Sequence, residues 1–363
     1  MNYQPVSKQD RMKFLDLFRG FSLIGLPFVN ILALWIMLKP DTRVDFWIQR
    51  ALYFLVEARF YDIFCFLFGL GFYLFLSRSA PKGQTKLFLY IRRMLILLAL
   101  GYIHQQYQSG EALFLYAIIG LVVIPLYWAP RTVNLVLGVV GFSAAAAIGV
   151  KMLTIPFLII LGLSAGQYQL MEKIQKGLPY LGRIWFISFI ASIVGIGIMW
   201  WVAPPDAMSP FLYEVIGASL PVAEQANMDA AFRLEHIGVA IGPVVSIFYL
   251  STLLRLNQNM TFAKMLSPLH AFGRMALTNY IAQTIILLVV YQLIFADAAV
   301  SYTVSTLVCI GMVIVQVIAS NLWMRWFQYG PLEWVWRCGT YLSFIPIRKK
   351  HSKPRVHDTR VRG

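Results

Sequence analysis

Charge is scarce in this sequence: Asp, Glu, Lys and Arg make up 13% of its 363 residues, whereas soluble domains carry about 25%. What charge there is leans one way, with 16 acidic residues against 31 basic ones and a net charge of +15. Cysteine is nearly absent. Cys65, Cys309 and Cys338 are too few and too scattered for a disulfide framework or a metal knuckle, and they read as small buried apolar residues. The chain has no GxxxxGK[ST] loop, no CxxC pair and no zinc-type His spacing, so a phosphate-binding loop, a redox dithiol and a bound metal are not expected. Nucleic acid is not expected either, because the Lys and Arg residues lie between long apolar runs and not along one face. The Gly69-Leu70-Gly71 and Gly195-Ile196-Gly197 pairs sit inside such runs, where small residues permit close helix packing. No internal repeat is visible.

In place of charge the chain has apolar length. Hydrophobic residues reach 59%, mean hydropathy is +0.67, and the aromatic share of 15% includes ten Trp, as a protein with rings at two membrane interfaces requires. A transmembrane helix needs about 20 mostly apolar residues. Ten such runs occur, at 14–38, 52–77, 87–104, 112–129, 132–149, 152–170, 184–203, 236–254, 275–295 and 302–324. Between the fifth and sixth runs stands Lys151, which is placed in a tight turn because a lone Lys at mid-membrane costs about 2.5–3.5 kcal/mol. The first run carries Asp16 and Arg19 and lacks a small-residue cleavage site, so it reads as a span and not as a leader. The expected architecture is an all-α, polytopic transmembrane helix bundle in contact with the lipid bilayer. One membrane domain covers 1–340, with a basic tail at 342–363.

Orientation follows from Lys and Arg in the short loops. Lys8, Arg11 and Lys13 precede the first run, Arg78, Lys82, Lys86, Arg92 and Arg93 surround the second loop, and Arg131, Lys173, Lys176, Arg183, Arg255 and Lys264 occupy later even-numbered loops. The tail adds Arg348, Lys349, Lys350, Lys353 and Arg355. The 204–235 loop instead carries Asp206, Glu214, Glu224, Asp229 and Glu235 against only Arg233. Both termini are therefore expected in the cytoplasm, with only the nearly balanced 39–51 segment carrying no signal.

An ionisable side chain in a span is costly and usually faces a cavity or a partner. Drawn on this topology, Asp16 and Arg19 share a face of the first helix near the inner side, and Arg274, Asn279 and Gln283 enter the ninth span from that side. Glu57, Arg59, His104, Glu111, Glu235 and His236 gather toward the outer side. Asn30 lies 14 residues beyond Asp16, about 21 Å along a helix. His104 beside a carboxylate has the chemistry of a general base near neutral pH; equally, a His at a span end commonly serves as an interfacial residue, and Asp16 with Arg19 serves as a structural ion pair.

Several blocks then bring a family into view. The runs RMKFLDLFRGFSLIGLPFVN (11–30), FCFLFGLGFYLFLSR (64–78), RRMLILLALGYIHQQYQSGEALFLYAIIG (92–120), GRMALTNYIAQTII (273–286) and YGPLEWVWRCGTY (329–341) resemble, in order, the bacterial YeiB-like membrane proteins. The blocks divide the chain into an N-terminal part of about 1–130, a variable middle of 131–270 that they leave uncovered, and a C-terminal segment of about 271–341. Glu111 departs from the family pattern, which has Asp after the Gly. LDLFRG also resembles the opening of the wider membrane acyltransferase superfamily, in which a His follows later in the first helix; Asn30 holds that place here and cannot act as a base.

The resemblance implies a multi-pass protein of the bacterial cytoplasmic membrane that moves an acyl group from a cytoplasmic donor to an envelope glycan or lipid. It implies acyl-CoA as the donor substrate and no tightly bound cofactor. On that reading His104 is the base, Glu57 or Glu111 orients it, Asn30 or Arg59 stabilises the oxyanion or acceptor, and Arg19, Arg92, Arg93 and Arg274 hold donor phosphates. Two alternatives stand beside it: a transporter or exporter of a small solute, in which the same charges line a path, and a non-catalytic membrane partner. Pro27 and Pro156 do not occupy matching positions in two halves, which counts against the transporter.

Overall fold

The structure, a computed structural model, describes residues 8–78, 84–108, 110–204 and 222–349. The basic tail from 350 onward and most of the acidic 204–235 segment lie outside the described residues. The helices are α1 (Lys8–Asn30), α2 (Arg43–Ala51), α3 (Arg59–Arg78), α4 (Gln84–His104), α5 (Leu113–Val122), α6 (Arg131–Ile148), α7 (Lys151–Gln167), α8 (Leu170–Gln175), α9 (Leu181–Val202), α10 (Val222–Gln258), α11 (Met260–Leu266), α12 (Pro268–Arg274), α13 (Ala276–Val290), α14 (Tyr302–Trp326) and α15 (Pro331–Tyr341). Among the described residues the only β pairing is two isolated bridges.

Eight helical stretches are long and apolar enough to cross a membrane, and α5 and α7 are apolar but shorter. The protein is an all-α, multi-pass membrane bundle. The ten residues of α5 rise about 15 Å, half the thickness of a hydrocarbon core. The run expected as one span at 112–129 is thus a short helix followed by a 3₁₀ turn, Ile124–Tyr127, because Pro125 has no N–H to continue the α-helical ladder. Pro27 and Pro156 sit inside α1 and α7 without ending them.

The 39–51 segment is not a loop. Thr42 caps α2 by accepting from the Asp45 backbone N–H at 3.0 Å. The helix then runs through a π-helical turn, Leu52–Val56, toward α3. Its polar stripe, Asp45 and Gln49, is buried and not solvated. Asp45 accepts from the Thr303 backbone N–H and hydroxyl, both at 2.7 Å, and Gln49 donates to the Tyr302 hydroxyl at 2.8 Å. Balanced charge here reflects docking on the start of α14.

The outer faces are apolar, and the interior is an apolar core in which polar side chains such as Asp45, Arg59 and Asp62 are also buried. Val136, Val139 and Val140 of α6, Phe186, Ile187 and Val194 of α9, and Leu307, Ile314 and Val315 of α14 are all exposed. Contiguous apolar surface on this scale marks a lipid-facing perimeter. Inside, glycines let backbones touch. Gly69 of α3 faces the Ile159 backbone and Gly162 of α7 faces the Phe66 carbonyl, so a side chain at either would force the two helices apart. Gly20 of α1 and Gly273 of α12 do the same against the Leu269 carbonyl and the Asp16 carbonyl. Between α6 and α7 the turn is two residues long. Gly149 takes φ +81°, which suits glycine, and Lys151 opens α7 directly after it, as its charge requires.

Candidate functional site

The close approach of α1 and α12 frames the mouth of a cavity of about 1100 Å³. Five basic side chains line it, Lys13, Arg19, Arg93, Arg274 and Arg337, against two acidic ones, Asp16 and Glu333. The acids are engaged locally. Asp16 lies 3.7 Å from Arg19, and Glu333 caps α13, accepting from the backbone N–H groups of Leu277 at 2.6 Å and Thr278 at 3.1 Å and from the Thr278 hydroxyl at 2.6 Å. Burial pushes the Glu333 carboxyl above the ordinary glutamate range. His270, also at the mouth, is held below the usual histidine range by burial, with the charge of Lys13 adding to it. Arg93 is different in kind. Its guanidinium lies 3.6 Å from the Trp336 ring centre and 5.3 Å from that of Phe75, and among the described residues it has no ion-pair partner. Aromatic rings fix such a cation without neutralising it.

Past the mouth the lining turns apolar and aromatic, with Phe64, Phe68, Tyr90, Met94, Leu97, Leu113 and Tyr116. Tyr280 belongs to this lining, and its hydroxyl donates to Glu111 Oε2 at 3.3 Å. Glu111 holds His104: the carboxylate contacts Nδ1, and its other oxygen accepts from the Leu113 backbone N–H. The second ring nitrogen, Nε2, is 2.9 Å from the Thr284 hydroxyl. Beside an ionised Glu111, which only accepts, Nδ1 carries the proton, and with the ring neutral Nε2 then accepts from the Thr284 hydroxyl. All four side chains are buried. They come from the end of α4, the turn before α5 and one face of α13.

A second polar cluster surrounds the start of α3. Ala58, at φ +65°, separates Glu57 from Arg59 in a strained left-handed conformation. Glu57 pairs with Lys151 at 2.5 Å, whose ammonium also sits 4.9 Å from the Tyr61 ring centre. Arg59 is wholly buried and donates to the carbonyls of Glu57 at 2.5 Å and Gly238 at 3.2 Å. Buried Asp62 follows on the same helix, facing Gly242. A cavity of about 170 Å³ adjoins, lined in part by Glu57, Arg59 and Glu235.

A protein of Bacillus acidopullulyticus, described as an uncharacterized 39.9 kDa protein in the amylase 3' region, is 40% identical over 349 residues, covering 95% of this chain and 98% of that one. This chain belongs to the YeiB-like family. Two further relatives are the uncharacterized proteins YxaH of Bacillus subtilis (strain 168), 27% identical over 410 residues with 96% and 98% of the two chains covered, and YeiB of Escherichia coli (strain K12), 23% identical over 399 residues with 95% and 100% covered. The family described as "Protein of unknown function (DUF418)" matches residues 165–343. Family likeness therefore runs through much of the 131–270 middle that the quoted sequence blocks leave uncovered. Within the matched stretch of this YeiB-like chain lie Arg274, Tyr280, Thr284, Glu333 and Arg337.

The sequence-derived candidates do not form a single site. Asp16, Arg19 and Arg274 line the basic mouth together with Arg93; Arg92 instead donates to the Thr340 carbonyl at 3.0 Å. His104 and Glu111 meet, and Glu57 does not join them. Arg59 stands with Glu57 in the second cluster, and Asn30 ends α1, half-buried, with no hydrogen bond to His104. Asn279 and Gln283 face α14 and not the cavity. Asn279 donates to Ser320 Oγ at 2.9 Å, and Gln283 to Gln316 Oε1 at 3.2 Å, so they tie helices together. Sequence reasoning missed Thr284, Tyr280, Asp62 and Arg337. The signal for the first two was present: Tyr280 and Thr284 stand one turn apart, a step aside from the stripe of Asn279 and Gln283.

Proposed function

We propose that this protein is an acyltransferase of the bacterial cytoplasmic membrane. It takes a phosphate-bearing acyl donor from the cytoplasm and delivers the acyl group to an envelope glycan or lipid. The observation that carries the reading is one continuous arrangement: a basic mouth, an apolar aromatic passage, and Tyr280 in its wall bonded to the carboxylate that holds His104. An anionic head on an apolar chain matches that sequence of linings, as in acyl-CoA. Loop charges put the mouth on the inner side and His104 toward the outer side. In the net transfer, the acyl–sulfur bond of the donor breaks, an ester bond forms to the acceptor hydroxyl, and the proton that hydroxyl gives up reaches the leaving thiolate through His104 Nε2. Glu111 keeps the imidazole in the tautomer that accepts at Nε2.

Binding of acyl-CoA to the purified protein in lipid nanodiscs tests the reading by calorimetry. Saturable binding that weakens at least about tenfold, a loss of about 1.4 kcal/mol, in Arg93→Ala and Arg274→Ala supports it. Absence of binding across acyl chain lengths overturns it and leaves solute transport, read from the charges around Arg59, as the function to measure in proteoliposomes.

A further inference from the structure

Several small hydroxyls on these helices share a habit, whereas those of Thr278, Thr303 and Ser320 bond to Glu333, Asp45 and Asn279 on other helices. Ser192, Ser246, Ser251, Thr252 and Thr340 each donate to a backbone carbonyl three or four residues earlier in their own helix, the usual way for a buried helical Ser or Thr to be satisfied. Thr284 does not. Its hydroxyl addresses the imidazole of a residue 180 positions away at 2.9 Å. Behind that imidazole the Glu111 carboxylate is pinned by the Leu113 N–H and the Tyr280 hydroxyl. The order hydroxyl, imidazole, carboxylate is the one that activates an alcohol as a nucleophile: the base takes the proton, and the carboxylate stabilises the imidazolium and fixes its orientation.

We propose that Thr284 is the nucleophile of a covalent half-reaction and carries the acyl group as an oxygen ester between donor and acceptor. This rests on the acyltransferase reading above and specifies its chemistry. Tyr280, one turn earlier on α13, lines the cavity whereas Thr284 does not, so on this proposal Tyr280 must swing aside to admit the acyl carbonyl; a 3.3 Å bond to Glu111 restrains its hydroxyl. In the first half, Thr284 Oγ1 adds to the donor thioester. A C–O bond forms, the C–S bond breaks, and the threonine proton passes to His104 Nε2 and then to the departing thiolate. In the second half, the acceptor hydroxyl adds to the threonyl ester, its proton passes through His104 to Thr284 Oγ1, and the threonine is regenerated. No oxidant or reductant is needed. Burial of the whole cluster keeps water from the ester while the acceptor arrives.

The test is covalent labelling of the full-length protein in nanodiscs with radiolabelled acetyl-CoA and palmitoyl-CoA, followed by denaturation and peptide mass spectrometry. The expected product is an adduct on the peptide containing Thr284 that survives neutral hydroxylamine and is released by alkaline hydroxylamine, as an oxygen ester is. Thr284→Val abolishes it, Thr284→Ser retains it, and His104→Ala slows its formation by on the order of 10²–10⁴-fold. Both Thr284 variants are first checked for wild-type acyl-CoA binding, which separates loss of the nucleophile from loss of the fold. A label released by neutral hydroxylamine and still formed in Thr284→Val places the acyl group on His104 or a cysteine and overturns the proposal. Transfer by the wild type with no adduct, and undiminished in Thr284→Val, overturns it while leaving the acyltransferase reading intact. If neither donor binds or labels the wild type, both fall.

Discussion

Lys151 illustrates how a single residue acquires a meaning that its sequence position does not carry. As a lone cation between two apolar runs it is expected in a turn, and it lies just past one, as the first residue of α7. Its partner Glu57 is 94 positions away, and the pair is about four-fifths buried, with side-chain exposures of 22% and 23%. Glu57→Ala removes the ion-pair partner of the ammonium. The expected cost is about 1–3 kcal/mol, less than the about 3–5 kcal/mol of a fully buried broken pair because solvent still reaches both groups. Thermal unfolding in nanodiscs checks it, and the double variant Glu57→Gln with Lys151→Met recovers most of the loss; equal melting temperatures for wild type and Glu57→Ala would remove the pair from the account. Residues such as His104 and Glu111, separated by one short loop, could be joined from the sequence alone. Residues such as Glu57 could not, because their partners depend on which helices become neighbours.

Helices are placed here by glycine as much as by apolar faces. The LDLFRG glycine, Gly20, meets the Leu269 carbonyl, and Gly273 meets Asp16 from the other helix. That contact is why Asp16 and Arg19 of α1 share a cavity mouth with His270 and Arg274 of α12. Gly273→Ala forces a methyl into the opposing backbone, which has no flexible side-chain end to yield. Such overpacking costs about 1–3 kcal/mol, and the expected result is a lower melting temperature together with weakened acyl-CoA binding, since the mouth is widened. Gly197→Ala, whose added methyl meets open space, is the control and stays near wild type. The sequence identified Gly69 as a packing residue from its apolar surroundings, and it packs on α7. It did not reveal α2, because the buried polar stripe of Asp45 and Gln49 has the composition of a loop until α14 is there to receive it.

At the scale of the molecule, the distribution of Lys and Arg makes a prediction about sidedness. The Gln105–Gln108 turn after α4 is expected outside and the Gln328–Tyr329 turn inside. Cys65 and Cys309 are buried, so a Cys338→Ser background carrying Gln106→Cys or Gln328→Cys reports each side. A membrane-impermeant thiol reagent applied to intact cells is expected to label the first and spare the second until the membrane is opened; the reverse pattern would invert the route from donor to acceptor.

The sequence by itself determined the all-α class of this protein and its multi-pass membrane character. These follow from local composition, and the membrane as solvent reads composition directly. Only the tertiary structure decided the pairs: Thr284 with His104, Glu57 with Lys151, Arg93 between Trp336 and Phe75, and Asn279 with Ser320. Each joins helices far apart in the chain. Their meeting is set by interhelical packing, where a single glycine contact or a one-residue step around a helix changes which side chains face one another.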